Sequence, residues 1–187
     1  MSETAADESV ESRLMFLLDP AFESEEGQDT PVDAIIGGWL IDGNGTRGRF
    51  QPNPEFRPRS AESPLDPVDA LLRQLLGGAD IADEFVAALS DAVLGVAVDE
   101  EGSALIRSSP DGVPCLVVAT AFGHRGALGE HGRWLDVSVE DLAAALPAEG
   151  VDVLLNPDST ASMRVLAETV RTAAEFVEEE PQPASAD

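Results

Sequence analysis

The sequence predicts an α/β (α+β) fold: a single mixed β-sheet covered by packed helices. Three observations predict it. Short apolar runs separated by turn residues recur between residues 93 and 120. The run 151–155, Val-Asp-Val-Leu-Leu, is almost continuously apolar, the mark of a strand buried on both faces. Segments with apolar residues at helical spacing and clear start signals lie between these runs. The length, 187 residues, fits one compact domain with tails.

The elements follow in chain order. Residues 1–12 and 23–30 are polar and acidic and predict disorder within an acidic segment 1–30. Between them, residues 14–22, LMFLLDPAF, are apolar enough to dock on something. Residues 31–64 read as a hairpin and a Pro-rich loop. The run AIIGGWLI is the first strand, DGNGTRG is the turn, and residues 48–51 are the return strand. Four prolines between Pro52 and Pro64 then predict an ordered, extended loop. In the blander reading of that loop, Phe56 packs down on Trp39.

Residues 65–178 form the α/β domain proper. Asp66 and Pro67 start a helix with an acid at the N-cap and proline at the first helical position. Val68, Leu71, Leu72 and Leu75 share its inner face, and Gly77-Gly78 stops it. A second helix from about Asp80 to Ser90 buries Ile81, Phe85 and Leu89. Residues 93–98, 103–107 and 113–120 predict three strands in an antiparallel meander. Residues 133–137 are a short strand, and Ser138-x-x-Asp141 begins a helix that ends before Pro147. Residues 151–155 are the central strand. The last helix is predicted from about Thr160, burying Met163, Leu166, Val170, Ala173 and Val177. Residues 179–187 read as a disordered tail.

Charge narrows function. The 36 acidic residues face 11 cations, all arginine, for a net charge of −25. Nucleic-acid binding is disfavoured, because phosphate contacts need cations. Anionic membranes are disfavoured for the same reason. No run reaches the ~20 apolar residues of a membrane helix. The acidic N-terminus lacks the basic start of a signal peptide, so the expected location is the cytoplasm. A lysine-free, alanine-rich composition fits either a high-GC genome or a high-salt host, and the sequence leaves both open.

No motif specifies catalysis, a cofactor or a metal. Gly43-Asn44-Gly45-Thr46-Arg47-Gly48 mimics a dinucleotide fingerprint, but Gln51-Pro52-Asn53-Pro54 follows it instead of a helix. As a calcium loop the same stretch lacks the bend glycine and the terminal bidentate glutamate, with Arg47 and Asn53 in their places. His124 and His131 have no second ligand at metal spacing and read as a solvated loop pair. Asp152 and Asp158 flank the central strand and read as structural acids near a strand start and a helix N-terminus. Cys115, the one cysteine, lies in an apolar run and reads as a buried, inert thiol. A partner-docking surface is the remaining candidate. Phe56, Arg57 and Arg59 lie in the Pro-rich loop, and aromatic and arginine side chains are enriched at binding hot spots.

The order of several motifs carries a resemblance. Leu18-Asp19-Pro20-Ala21-Phe22, Ile36-Gly37-Gly38-Trp39, Asp42-Gly43, Asn53-Pro54-Glu55-Phe56-Arg57-Pro58 and Asp66-Pro67-Val68-Asp69 succeed one another. In that order they resemble actinobacterial type VII secretion system-associated proteins. Gly150-Val151-Asp152-Val153-Leu154-Leu155-Asn156-Pro157-Asp158-Ser159 resembles the hallmark of the SseB-type domain. Together the resemblance spans about residues 14–177. Phe22 stands where the family usually has tryptophan, and Arg59-Ser60 departs from its P-S-P pattern. The resemblance implies a non-enzymatic accessory protein that binds protein: a secretion substrate, a secretion component or, in an immunity role, a basic toxin. It leaves room for a homodimer and implies no cofactor.

Overall fold

The computed structural model describes residues 12–23, 27, 29–126, 128 and 132–176. Of the segments expected to be disordered, 1–12, 23–30 and 179–187, residues 1–11, 24–26, 28 and 179–187 lie outside the described residues, as do the place of His131 and the burial of Val177.

Two sheets organise the chain. The smaller has the order β1-β2-β3, with β1 at Arg13–Leu18, β2 at Ile35–Ile41 and β3 at Gln51–Pro52. The apolar stretch expected only to dock is therefore a strand, antiparallel to β2 from Arg13↔Ile41 to Leu17↔Gly37. Its lack of alternation hid it, because both faces of RLMFLL are apolar beyond Arg13. The return of the hairpin is also later than the predicted 48–51. Only Gln51 and Pro52 pair with β2, opposite Gly38 and Gly37, after a bridge from Ile41 to Arg47. Gly37 is required there: a Cβ would stand 2.3 Å from the Phe50 ring and 2.4 Å from the Gln51 carbonyl.

The larger sheet has the order β7-β4-β6-β8-β9, with β5 beside β6. Its strands are β4 (Val93–Val98), β5 (Ile106–Ser108), β6 (Pro114–Ala119), β7 (Arg133–Ser138), β8 (Asp152–Leu155) and β9 (Met163–Val165). The fold class is thus the expected mixed sheet with helices, with the smaller sheet added. β8 is interior rather than central: it lies between β6, to which it runs parallel, and the edge strand β9, to which it is antiparallel. The middle of the sheet is therefore β6, and Val153 on β8 is fully buried. The predicted meander forms only in its second half, where β5 and β6 make the expected antiparallel hairpin. β4 pairs directly with β6 and β7, whereas β4 and the chain entering β5 share only the Val98↔Ala104 bridge.

The helices are α1 (Pro67–Leu76), α2 (Ala82–Ser90), α3 (Val139–Ala145) and α4 (Ala167–Glu175). Asp66 caps α1 by accepting the Asp69 amide, and Ser138 caps α3 by accepting the Asp141 amide. α4 starts later than expected. Met163–Val165 is a strand, and Leu166, expected in the helix interior, is its half-exposed N-cap. Asp152 on β8 supplies the missing cap: its Oδ1 accepts the Ala167 amide at 2.9 Å.

One apolar core joins these helices to one face of the larger sheet. Leu72, Phe85, Leu89, Leu94, Val96, Val118, Val139, Val153, Leu155 and Val170 belong to it, and none of its buried members precedes Val68. Each such side chain contributes about 1.5–3 kcal/mol when fully buried. Apart from the glycines Gly37 and Gly38, the smaller sheet buries only Ile36 and Ile41, with Ala34 just before β2. It must therefore be held by polar fastenings, and these converge on the Pro-rich loop.

Candidate protein-docking surface

The Pro-rich loop is fastened at both ends. At its start, the Asn53 amide donates to Ile36 O at 2.9 Å. The Asn53 side-chain amide donates to Val32 O and Ile35 O at 2.7 and 2.8 Å. Its Oδ1 accepts the Glu55 amide at 3.0 Å. An Asn-Pro pair suits this work, since the side chain bonds the backbone and proline removes a competing donor. At its end the loop closes on Asp19, just past β1. The buried Asp19 carboxylate accepts the Ser63 hydroxyl at 2.7 Å, the Arg59 amide at 3.2 Å and the Ala21 amide at 2.9 Å. Burial raises the Asp19 pKa, but these donors outweigh it and hold the group below its ordinary value.

The three loop residues singled out from sequence have different fates. Phe56 is half-buried, but the expected partner Trp39 instead meets the Phe50 ring at 5.0 Å and the Arg47 guanidinium at 5.7 Å. Arg59 pairs with Asp33 at 3.2 Å and lies over the Phe22 ring at 5.3 Å. Arg57 is exposed, its guanidinium donating to Pro54 O and Phe56 O of its own loop. The Arg57 amide is anchored on Asp33 O at 3.1 Å. Arg57 is thus presented outward from a fixed backbone, while Arg59 serves to hold that backbone.

Behind the loop lies a buried polar cluster that sequence reasoning missed. His124, expected in a solvated loop, has a side chain only 6% exposed, with Nε2 3.0 Å from Asp69 Oδ2. The approach is off the line of a good hydrogen bond. Asp69 also accepts the Leu65 amide and pairs with Arg73, which reaches Glu62 and the Thr160 hydroxyl. Asp66 Oδ2 accepts the Thr120 hydroxyl at 2.6 Å. Asn156 Oδ1 accepts the Thr120 amide at 2.8 Å. The two carboxyls are pushed apart. Burial raises Asp66. For Asp69 burial also raises, but the close approach of His124, the Leu65 amide and Arg73 lower it overall. The cluster ties the start of α1 to the ends of β6 and β8. Only the Asp66-Pro67-Val68-Asp69 motif hinted at it; Asp69 and His124 are too far apart in sequence to be linked by spacing.

The remaining candidates settle into structural roles. Asp152 pairs with Arg164, which also reaches Asp111 at 2.7 Å. Asp158, expected near a helix N-terminus, instead lies in the turn between β8 and β9, because α4 starts only at Ala167, and it pairs with Arg107 at the surface. Cys115 is buried, and burial pushes its thiol up. Among the described residues no three potential ligands gather for a metal, and no helix is long and apolar enough to cross a membrane. An open apolar groove of about 410 Å³ lies among α2, β9 and α4, lined by Phe85, Val86, Met163 and Leu166. Beside the Pro-rich loop, β1 exposes Leu14, Met15, Phe16 and Leu18. No protein-family model, no curated protein and no solved structure matches the chain significantly.

Proposed function

We propose that this is a non-enzymatic, cytoplasmic accessory protein of type VII secretion that acts by binding another protein, as chaperone or adaptor. The observation that carries the binding role is the fixed loop 53–63. Asp19, Asn53 and Ser63 hold its backbone, so Arg57 is ordered before any partner arrives. Such preorganisation lowers the entropic cost of association. The secretion context comes from the succession of motifs; Asp19 of the Leu18-Asp19-Pro20 motif accepts the amide of Arg59, the residue that follows the Asn53-Pro54-Glu55-Phe56-Arg57-Pro58 motif. A net charge of −25 favours a second reading, an immunity protein masking a basic toxin.

The test is affinity capture from the native host with wild type and Arg57→Ala. Arg59 is left intact because it supports the loop. Capture of a component or substrate of a secretion locus, weakened about tenfold by Arg57→Ala at unchanged Tm, supports the first reading. Capture of a basic toxin supports the second. Capture indifferent to Arg57→Ala rules out the loop as the docking element.

A further inference from the structure

Edge strands of a sheet carry unpaired backbone donors and acceptors, and proteins normally block them with charges, prolines or very short strands. Four edges here are blocked in that way. β3 has two residues, one of them Pro52. β5 carries Arg107, β7 carries Asp136, and β9 carries Arg164, each at an interior position of the strand. β1 is different. Only β2 pairs with it among the described strands, and Leu14 to Leu17 contain neither charge nor proline. The register irregularity between Leu17 and Leu18 affects only its last step. Leu14 is 62% exposed and Phe16 53% exposed, and Leu40, opposite Leu14, extends the same apolar face. The Phe16 ring is held over Gly38, where an added Cβ would meet it at 3.1 Å.

Charge selects the occupant. Residues 1–30 contain nine acids and one cation, Arg13, within a chain of net charge −25. A second copy on this edge would bring like charge to like charge. A cationic segment would gain from the same field. We propose that the free edge of β1 takes up an extended partner segment as a fourth strand, with apolar side chains seated on Leu14, Phe16 and Leu40 and with flanking Lys or Arg facing the acidic surroundings. This rests on the protein-binding reading above and adds its mode and the partner's chemistry. Backbone hydrogen bonds supply affinity and the apolar face sets register.

The probe is a labelled peptide of about ten residues, alternating Val and Thr between lysines. Its binding to the full chain is read by fluorescence anisotropy, and the site by amide hydrogen exchange. Expected are saturable binding, new protection of the Leu14–Leu17 amides, and about tenfold weakening when salt rises from about 0.1 M to about 0.5 M. Phe16→Lys should weaken binding at least about tenfold and Ile106→Lys should leave it unchanged. Phe16 and Ile106 are both exposed, so both variants should fold.

Several results would overturn the proposal: no binding, equal binding of a glutamate-flanked or proline-interrupted peptide, or indifference to Phe16→Lys. So would a dimer of the free chain that Phe16→Lys dissolves, since the occupant is then a second copy. Amides of β1 already protected and unchanged by peptide would show the edge covered from within the chain. Failure of this test with Arg57-dependent capture intact removes strand addition alone; failure of both removes the binding reading.

Discussion

Asn156 accepts the Thr120 backbone amide on its side-chain oxygen at 2.8 Å while its own backbone sits at φ 49°. It is fully buried, and its amide nitrogen donates to the Thr120 hydroxyl at 3.0 Å. One residue thus joins the ends of β6 and β8 and turns the chain out of the sheet. Asparagine suits both tasks, because it tolerates the left-handed region and bonds the backbone locally.

Asn156→Ala should lower stability by about 2–4 kcal/mol, because it leaves the buried Thr120 amide unpaired and adds backbone strain. Asn156→Gly relieves the strain and not the lost bond, so it should recover only part of the loss. Urea denaturation of the three proteins decides. Full recovery by glycine would mean that the Thr120 bond contributes little.

How far the sequence disclosed this arrangement can be judged element by element. α1 was legible because Asp66, Pro67 and Gly77-Gly78 are local signals at both ends. β8 was legible because burial on both faces leaves a continuous apolar run. β9 was not, since three residues are too few to show a period and Met163 fits the helical spacing of α4. The roles of Asp19 and Asp69 were not legible either. Each depends on donors brought from 40 or more residues away, such as Arg59, Ser63 and His124, and no local pattern encodes such pairings.

Asp66 and Asp69 should respond oppositely to neutralisation. Asp69 has a lowered folded pKa, so its contribution is present above the unfolded value and disappears as pH falls through the folded one. Asp66 has a raised folded pKa, chiefly through burial. Its contribution is present below the unfolded value and is lost as pH rises through the folded one. Asp69→Asn should therefore cost about 3 kcal/mol at neutral pH, since it removes the buried charge that faces His124 and Arg73. Asp66→Asn should stay within about 0.5 kcal/mol of wild type or exceed it, because Asn retains a capping oxygen. Thermal melts across acid to neutral pH measure both. A larger loss from Asp66→Asn than from Asp69→Asn would contradict the assignment.

Asp19→Ala should loosen the Pro-rich loop while leaving the larger core in place, since no core member belongs to β1. Amides 57–63 should exchange faster, and stability should fall by about 1–3 kcal/mol from the unpaired buried groups. In the wild type the same loosening should appear only in acid, below the usual carboxylate range, because the folded pKa is lowered. Unchanged exchange at 57–63 would show that Asn53 alone holds the loop.

Gly37→Ala should break the pairing of β3 with β2, because the new methyl meets Phe50 and a backbone carbonyl at under 2.5 Å. A cost of about 1–3 kcal/mol is expected from overpacking. Gly45→Ala meets no atom within 4 Å, and its cost comes only from φ +87°. A Gly37→Ala protein as stable as wild type would mean that the smaller sheet repacks freely.

The central claim is that the protein binds another protein on the face formed by the 53–63 loop and β1. Site-specific photo-crosslinking in the native host tests it most directly, with the reactive group placed at position 57, at position 16 and at the exposed Leu135 on β7. The account predicts that positions 57 and 16 give adducts with one and the same protein, and that position 135 gives none with it. Adducts of that protein at position 135 alone, or no adduct at position 57 and position 16, would contradict it.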